Sequence, residues 1–364
     1  MRVSFGDVVR QVRDRVDPGE SGLERFVAGE HMNSDDLRIR RWGMIGNGYL
    51  GPAFHMRFKP GQVLYGSRRT YLRKVALADF EGITANTTFV IETKDPKVLL
   101  PELLPFIMQT DSFHEHSKKQ SKGSVNPYVN FSDLTWYELN LPPVEEQRRI
   151  VRVLRALSTW YHSLSDLLNS TRDLKASFCQ HVLTSRDKLG RVAISEIAKF
   201  TSGGQLRVSG LPQQPTIGAS VPVYGGNGRA GYTSKPLPGS LHPTIVVGRV
   251  GQYCGAVRLT DGPAWITDNA LYPALLKQPT DLRFLAACLE GANLNRGKLG
   301  EYLPLITQGV VHVVEIPAVS LPQQRLLGER YQEISTALDL ATKRLFQAEE
   351  IRKETLNYLL GEVL

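Results

Sequence analysis

The chain has 364 residues, 41 % of them hydrophobic and 22 % charged, which is enough for two cores and excludes a globally disordered protein. Lys and Arg number 44 against 36 Asp and Glu, a net charge of +8 that favours anionic partners. Acids are still plentiful, so a local phosphate-facing stripe fits better than a cationic coat for membranes.

In chain order, Phe5 to Val12 reads as a short amphipathic helix, and Arg25-Phe26-Val27 as a strand before the polar loop Gly29 to Asp36. Lys59-Pro60-Gly61 turns into the strand Gln62 to Tyr65, ended by Gly66. Lys74 to Ala78 and Thr87 to Ile91 are further strands. Leu99 to Met108 is expected to be helical despite Pro101 and Pro105, and Ser117 to Ser124 to be a basic, flexible loop. After Leu141-Pro142-Pro143, the run beginning Glu145-Glu146-Gln147-Arg148 has Ile150, Leu154, Leu157, Tyr161, Leu164, Leu168, Leu174 and Phe178 at steps of three and four or their sums. That is a helix face about 55 to 60 Å long, more than a globular domain needs, and it calls for a partner helix.

Residues 190 to about 318 repeat the order of the first region. Val192 to Phe200 matches the first short helix, and Thr244 to Gly248 matches Gln62 to Gly66. Tyr253 falls opposite Tyr71, and Leu282 to Leu289 matches Leu99 to Met108. Thr267 to Ala270 falls near Thr84 to Thr87, allowing one inserted residue. Leu321-Pro322-Gln323-Gln324-Arg325 then opens a second long helix, with a stripe through Leu327, Tyr331, Ile334, Leu338, Ala341, Leu345, Ala348, Thr355 and Leu359. Gln147 aligns with Gln324 and Leu174 with Ile351 at one offset. The expected organisation is a first domain over 1–143, a long helix over 144–185, a second domain over 186–319 and a second long helix over 320–364. The fold class is mixed α/β: two similar domains, pseudo-two-fold symmetric, with the helices packed as an antiparallel coiled coil that spaces two similar surfaces.

The helix start Leu141 to Arg148, the run Val221-Pro222-Val223-Tyr224-Gly225-Gly226-Asn227-Gly228, the run Gly248 to Gly255 and the overall alternation together resemble the specificity subunit of type I restriction-modification systems. The resemblance covers essentially the whole chain. It implies that each domain is a target-recognition domain for one half of a bipartite double-stranded DNA sequence. It further implies that the helices separate the halves and dock two methyltransferase subunits, with motor-nuclease (restriction) subunits joining for cleavage. S-adenosylmethionine would then be bound by the methyltransferase partner, with no cofactor in this chain. The second helix start departs from the pattern, lacking the usual acid before Gln323-Gln324, and Gly309 to Val314 lacks the polar lead-in seen in Asn126 to Leu134. A recognition subunit of a related type II enzyme, and a coiled-coil scaffold for protein or RNA, are the alternative readings.

Reading duplex DNA needs cations for phosphates and forked or amide side chains for base edges. In the first domain Arg68, Arg69, Arg73 and Lys74 cluster around Tyr71, with Lys118, Lys119 and Lys122 as a second group suited to a backbone clamp. In the second domain Tyr224, Asn227 and Arg229 sit among glycines that act as scaffold, while Arg249 and Tyr253 match the first domain's basic hairpin. Asn86 and Asn269 hold matched places and are expected to brace a turn within the chain.

Motifs for catalysis are missing. Asn126-Pro127-Tyr128 is one proline short of an adenine-methyltransferase loop, and Gly46-x-Gly48 and Gly226-x-Gly228 open no nucleotide fingerprint. Asp79 with Glu92-x-Lys94 has almost no specificity as a nuclease pattern. His114 and His116 are expected at a solvated helix end rather than on a metal, and Ser67, Ser195 and Ser220 lack a nucleophile context. Cys179, Cys254 and Cys288 are too far apart for a zinc site and suggest no disulfide framework. The N-terminal residues lack the apolar core of a signal peptide and no run spans a bilayer, so a cytoplasmic, non-catalytic subunit is expected.

Overall fold

The computed structural model describes residues 1–46, 48, 50–185, 190–240, 243–297 and 304–361. The chain divides into two compact units, Met1–Ser163 with Leu345–Leu364, and Leu164–Arg344.

In the first unit, strand Arg2–Ser4 pairs antiparallel with Glu138–Asn140. Phe5–Val8 makes a single helical turn, and the chain then extends into strand Val9–Val12, correcting the expected continuous helix. The β-branched Val8 and Val9 at the junction favour extended backbone, and Val9–Val12 completes a sheet by pairing with Thr88–Thr93. That antiparallel sheet runs Val9–Val12, Thr88–Thr93, Val63–Gly66, Val75–Leu77. A second sheet runs Gly43–Met44, Arg25–Val27, Gly82–Ala85, Phe54–Phe58, and its central pair is parallel. Pro101 and Pro105 confine the helix expected over Leu99 to Met108 to one turn, Leu104–Ile107. The supposed flexible loop starts later than expected. Ser117 to Gln120 belong to helix Asp111–Gln120, capped by the Thr110 side chain, and Ser117 is buried against the Tyr65 hydroxyl at 2.5 Å.

The second unit repeats this plan. Arg191–Ala193 pairs with Glu315–Pro317, and Ile194–Ile197 makes the matching helical turn. The main sheet runs Ala198–Ser202, Ala270–Leu276, Ile245–Gly248, Val257–Leu259. The second sheet runs Gly228–Thr233, Val221–Gly225, Trp265–Ile266, again with a parallel pair. Helix Leu282–Gly291 lies close to the first long helix: a Cβ added at Gly291 would sit 2.4 Å from the Cys179 carbonyl oxygen.

The long helices are Val144–Thr184 and Leu321–Gly361, 41 residues each. In the first unit Ile150, Val151 and Leu154, early in one helix, share a core with Leu356 and Leu360, late in the other, so the two segments run antiparallel. In the second unit Cys179 and Val182 share a core with Tyr331, the late part of the first helix meeting the early part of the second. Leu174 and Ile351, used to set the repeat, are exposed and lie off the seam. Leu168, Ala341 and Ala348 of the expected stripes are buried, and so is His162, which lay outside them.

Both helix starts are tied down by the aligned glutamines. Gln147 is fully buried; its Nε2 donates to Val98 O (2.8 Å) and Pro142 O (3.0 Å), and its Oε1 accepts from Leu100 N (3.0 Å). Gln324, half-buried, accepts from Asp281 N at 3.1 Å and donates to Val319 O at 3.1 Å. Among the described residues no helix is long and apolar enough to cross a membrane.

Candidate nucleic-acid interface

The candidate residues gather on a connection that both units build the same way. In the first unit, strands Val63–Gly66 and Val75–Leu77 are joined by a loop closed by Gly66 N donating to Lys74 O (3.0 Å) and Leu72 N donating to Arg69 O (2.8 Å). In the second, Gly248 N donates to Ala256 O (2.9 Å) and Cys254 N to Gly251 O (3.0 Å). Positive φ recurs at matching places, at Arg69 and Gly251 and again at Arg73 and Gly255. Each loop is also pinned by a later segment: Arg69 N donates to Pro127 O (2.6 Å), and Gly251 N donates to Pro304 O (3.0 Å). Tyr71 and Tyr253 stand exposed at equivalent points of the two loops.

On the first loop Arg68 and Arg69 are exposed, and the Arg68 guanidinium stacks over the Tyr128 ring at 4.8 Å. Tyr128 forms β-bridges to both Arg68 and Lys122, which brings the two basic groups of the sequence into one patch. Lys122 is held by Asp133 at 3.0 Å and Lys118 by Glu115 at 2.8 Å, whereas Lys119 lies exposed at the helix end. The Lys118 ammonium holds the Glu115 carboxyl below its ordinary range.

Two residues of this cluster face inward. Arg73 donates to Asp35 (2.6 Å), Asp111 (2.6 Å) and Gln109 O (2.8 Å). Burial works against its charge, yet the two carboxylates outweigh burial and raise its pKa. Lys74 donates to Gly29 O. Both tie the loop to its own domain.

In the second unit the hairpin Val221–Gly225 and Gly228–Thr233 turns at exposed Asn227, and Arg229 lies over Tyr232 at 5.3 Å. The glycines let this turn dock on the Arg249 loop: a Cβ on Gly226 would lie 2.9 Å from Val250 O and 3.0 Å from Asn269 O. Tyr224 is half-buried, and burial raises its hydroxyl pKa. Arg249 donates to Asp268 O at 3.2 Å. Asn86 and Asn269 are not equivalent. Gly66 pairs with Thr88 and Gly248 with Ala270, so Asn269 matches Thr87 and no inserted residue is needed.

The structure adds residues that the sequence reading passed over. Gln11, Arg13 and Arg15 lie at alternate positions of an extended segment and, with His55 and Asn86, line a cleft of about 630 Å³ in the first unit. Strand periodicity in Arg10-Gln11-Val12-Arg13-Asp14-Arg15 would have exposed this basic face; a helical reading scatters it. The nuclease-like trio is not assembled as a site, because Glu92 is bonded to Arg10 and Gln62 and Lys94 donates to Gly6 O. His114 is not solvated but buried. Burial pushes its pKa down to about 3, and neither ring nitrogen has a protein partner. Among the described residues no group of three or more His, Cys, Asp or Glu could hold a metal ion.

The fold is duplicated, with exposed Tyr71 and Tyr253 at matched points of two loops, and it is shared with known proteins. Residues 43–168 match the family described as Type I restriction modification DNA specificity domain. The chain is 28% identical over 127 residues to the type I restriction enzyme EcoDI specificity subunit of Escherichia coli, covering 35% of this chain and 28% of that protein. It is 21% identical over 320 residues to the MjaVIII specificity subunit of Methanocaldococcus jannaschii, covering 77% of this chain and 74% of that one. Its fold is shared with the S subunit of a type I restriction-modification system from M. genitalium, at TM-score 0.68 and 18% identity over 99% of this chain and 96% of that one. A chain from a study of type I complex assembly and conformational transition matches at TM-score 0.56 and 18% identity, over 99% of this chain and 97% of that one. These matches make the chain similar over part of its length to specificity subunits of type I restriction-modification systems, and over nearly all of it to the fold of such an S subunit.

Proposed function

We propose that this chain is the DNA-recognition subunit of a type I restriction-modification assembly. Each unit reads one half of a bipartite duplex target and positions adenine methyltransferase subunits and, where present, motor-nuclease subunits. The observation that carries this reading is the duplicated loop, with its two positive-φ positions, pinned in each unit by a proline carbonyl and carrying exposed Tyr71 and Tyr253. Arg68, Arg69, Lys119 and Lys122 supply phosphate contacts in the first unit, and Asn227, Arg229 and Arg249 supply contacts in the second. The chain itself contributes recognition, while S-adenosylmethionine and methyl transfer belong to the methyltransferase partner. The cytoplasm, where the DNA lies, is the corresponding location.

Two copies of one protein partner are supported by a second duplication. Trp136 and Val313 are exposed at matching places ahead of strands Glu138–Asn140 and Glu315–Pro317. Beside them stand the matched ion pairs Arg2–Glu138 and Arg191–Glu315. Exposed pairs add little stability by themselves, and in the second unit Arg191 also donates to Leu183 O (2.9 Å) and Glu315 O (2.6 Å).

The deciding experiment compares genome-wide adenine methylation in the host with the gene intact and deleted. A split motif of two short halves around a fixed gap, lost on deletion, is the expected result. An active methyltransferase partner whose methylation pattern survives the deletion unchanged would overturn the proposal.

A further inference from the structure

We infer that an open cleft in the second unit is a docking site for an extended segment of a protein partner in which apolar residues alternate with arginine. The cleft has a volume of about 970 Å³; its walls include Leu259, Asp261, Lys175, Leu338 and Asp339. One wall of the cleft is Tyr224, on the hairpin that turns at Asn227, but the inference does not depend on the DNA reading.

The first unit shows what fits such a site, because there the chain fills the corresponding place itself. Leu37 O accepts from Leu77 N at 2.8 Å, and Arg38 forms a parallel bridge to Leu77, the last residue of edge strand Val75–Leu77. Ile39 is buried in the core. Arg40 reaches His162 Nδ1 at 2.8 Å, and Arg352 donates to Asp35 O at 3.0 Å. The Asp35–Arg40 segment, which turns at Asp35 and bridges the strand in parallel at Arg38, thus lies along a sheet edge and against both long-helix segments of its unit.

The second unit keeps the walls, and among the described residues no other segment forms a backbone hydrogen bond to Leu259 as Leu37 does to Leu77. Edge strand Val257–Leu259 pairs with Ile245–Gly248 as Val75–Leu77 pairs with Val63–Gly66, so Leu259 stands where Leu77 does. The offset that matches Gln147 to Gln324 puts Asp339 in the place of His162, Leu338 in that of Tyr161 and Lys175 in that of Arg352. The cause is loop length. Arg25–Val27 and Gly43–Met44 are joined through residues 28–42, whereas Val221–Gly225 and Gly228–Thr233 are joined by Gly226 and Asn227 alone.

An uncovered edge strand is a template for an added strand, with backbone hydrogen bonds giving affinity and side-chain pockets giving selectivity. Asp339 selects the arginine, since it offers a carboxylate at the place of the His162 imidazole that Arg40 reaches, and such charge-assisted bonds are the stronger. Of the four cations that line the cleft, Lys175 is already matched to Glu290 at 2.9 Å and Arg283 to Asp281 at 2.6 Å, and four acids, Asp261, Asp281, Glu290 and Asp339, line it as well.

The test uses the full chain and a synthetic peptide with the sequence of residues 33–41, Asn33 to Arg41, followed by amide hydrogen exchange. At ten times its dissociation constant the peptide should slow exchange in 257–260 about tenfold, while a scrambled peptide leaves it unchanged. Asp339→Lys, on an exposed helix position, should abolish the slowing and keep the exchange pattern elsewhere. No slowing, equal slowing by the scrambled peptide, or slowing by duplex DNA and not by the peptide would each overturn the proposal.

Discussion

Replacing Gln147 by alanine removes three hydrogen bonds from a position with no solvent exposure. Leu100 N, Val98 O and Pro142 O each lose a partner, and each unsatisfied buried group costs about 1–3 kcal/mol. Water entering the space left by the amide offsets part of this, so a loss of about 3–4 kcal/mol is expected. Gln324→Ala removes two bonds from a half-buried site where water replaces them readily, and should cost about 1 kcal/mol. Gln147→Glu keeps the shape but sets a carboxylate against two carbonyl oxygens, and should be at least as harmful as alanine. Urea unfolding resolves the comparison, fitted with one transition per unit, since two compact units need not unfold together. The Gln147 loss should fall on the transition of the unit that contains it. Equal costs at the two glutamines, or a Gln147→Ala loss below about 1 kcal/mol, would show that packing at Ile150 and Val151 holds the helix start without the amide.

Other outcomes follow from the same geometry. Arg68→Ala and Arg69→Ala should each flatten the slope of DNA affinity against salt by about one and leave the melting temperature nearly unchanged; two unaltered slopes in an anisotropy titration would remove both from the interface. Arg73→Ala should instead destabilise the fold, because it strips a partner from Asp35 and Asp111. Arg69→Gly should raise stability by about 1 kcal/mol, relieving a left-handed φ of 50°, while weakening DNA binding. Gly291→Ala forces a methyl within 2.4 Å of a backbone oxygen and should cost at least about 1–3 kcal/mol by thermal melting. His162 is pushed down to about 4 by burial and the nearby Arg38, so the unfolded chain takes up a proton near pH 6.5 that the folded one refuses. Its contribution is intact above pH 6.5 and is lost as the pH falls towards 4, up to about 3 kcal/mol, and His162→Gln should flatten that part of the stability profile.

Periodicity made the long helices legible, because a stripe sustained over 41 residues survives local exceptions such as Leu174 and Ile351. The duplicated loops were legible too, since Gly66 and Tyr71 recur at the same spacing as Gly248 and Tyr253. Short segments were harder to read. Phe5 to Val12 holds one helical turn and one strand, and its pairing with Thr88–Thr93, far away in sequence, decides where one ends and the other begins. That misreading hid Arg13 and Arg15, whose common face exists only in an extended chain. Arg73 shows a different limit. Nothing in Arg68 to Lys74 distinguishes an outward arginine from one held by Asp35 and Asp111, each 38 residues away.

The two positive-φ arginines separate the roles within that loop. A non-glycine residue in the left-handed region is disfavoured by about 1 kcal/mol or more, and the second unit avoids this by placing Gly251 and Gly255 at the matching positions. At Arg73 the strain is offset inside the domain, by two carboxylates and the Gln109 carbonyl. At Arg69 the side chain is exposed, and among the described residues no ion pair of its guanidinium offsets the strain. Backbone bonds from Arg69 N to Pro127 O and from Leu72 N to Arg69 O hold this conformation, and under the proposed DNA reading it aims the cation at phosphate. Arg69 is therefore the stronger claimant to phosphate, and Arg73 the residue that holds the loop in place for it.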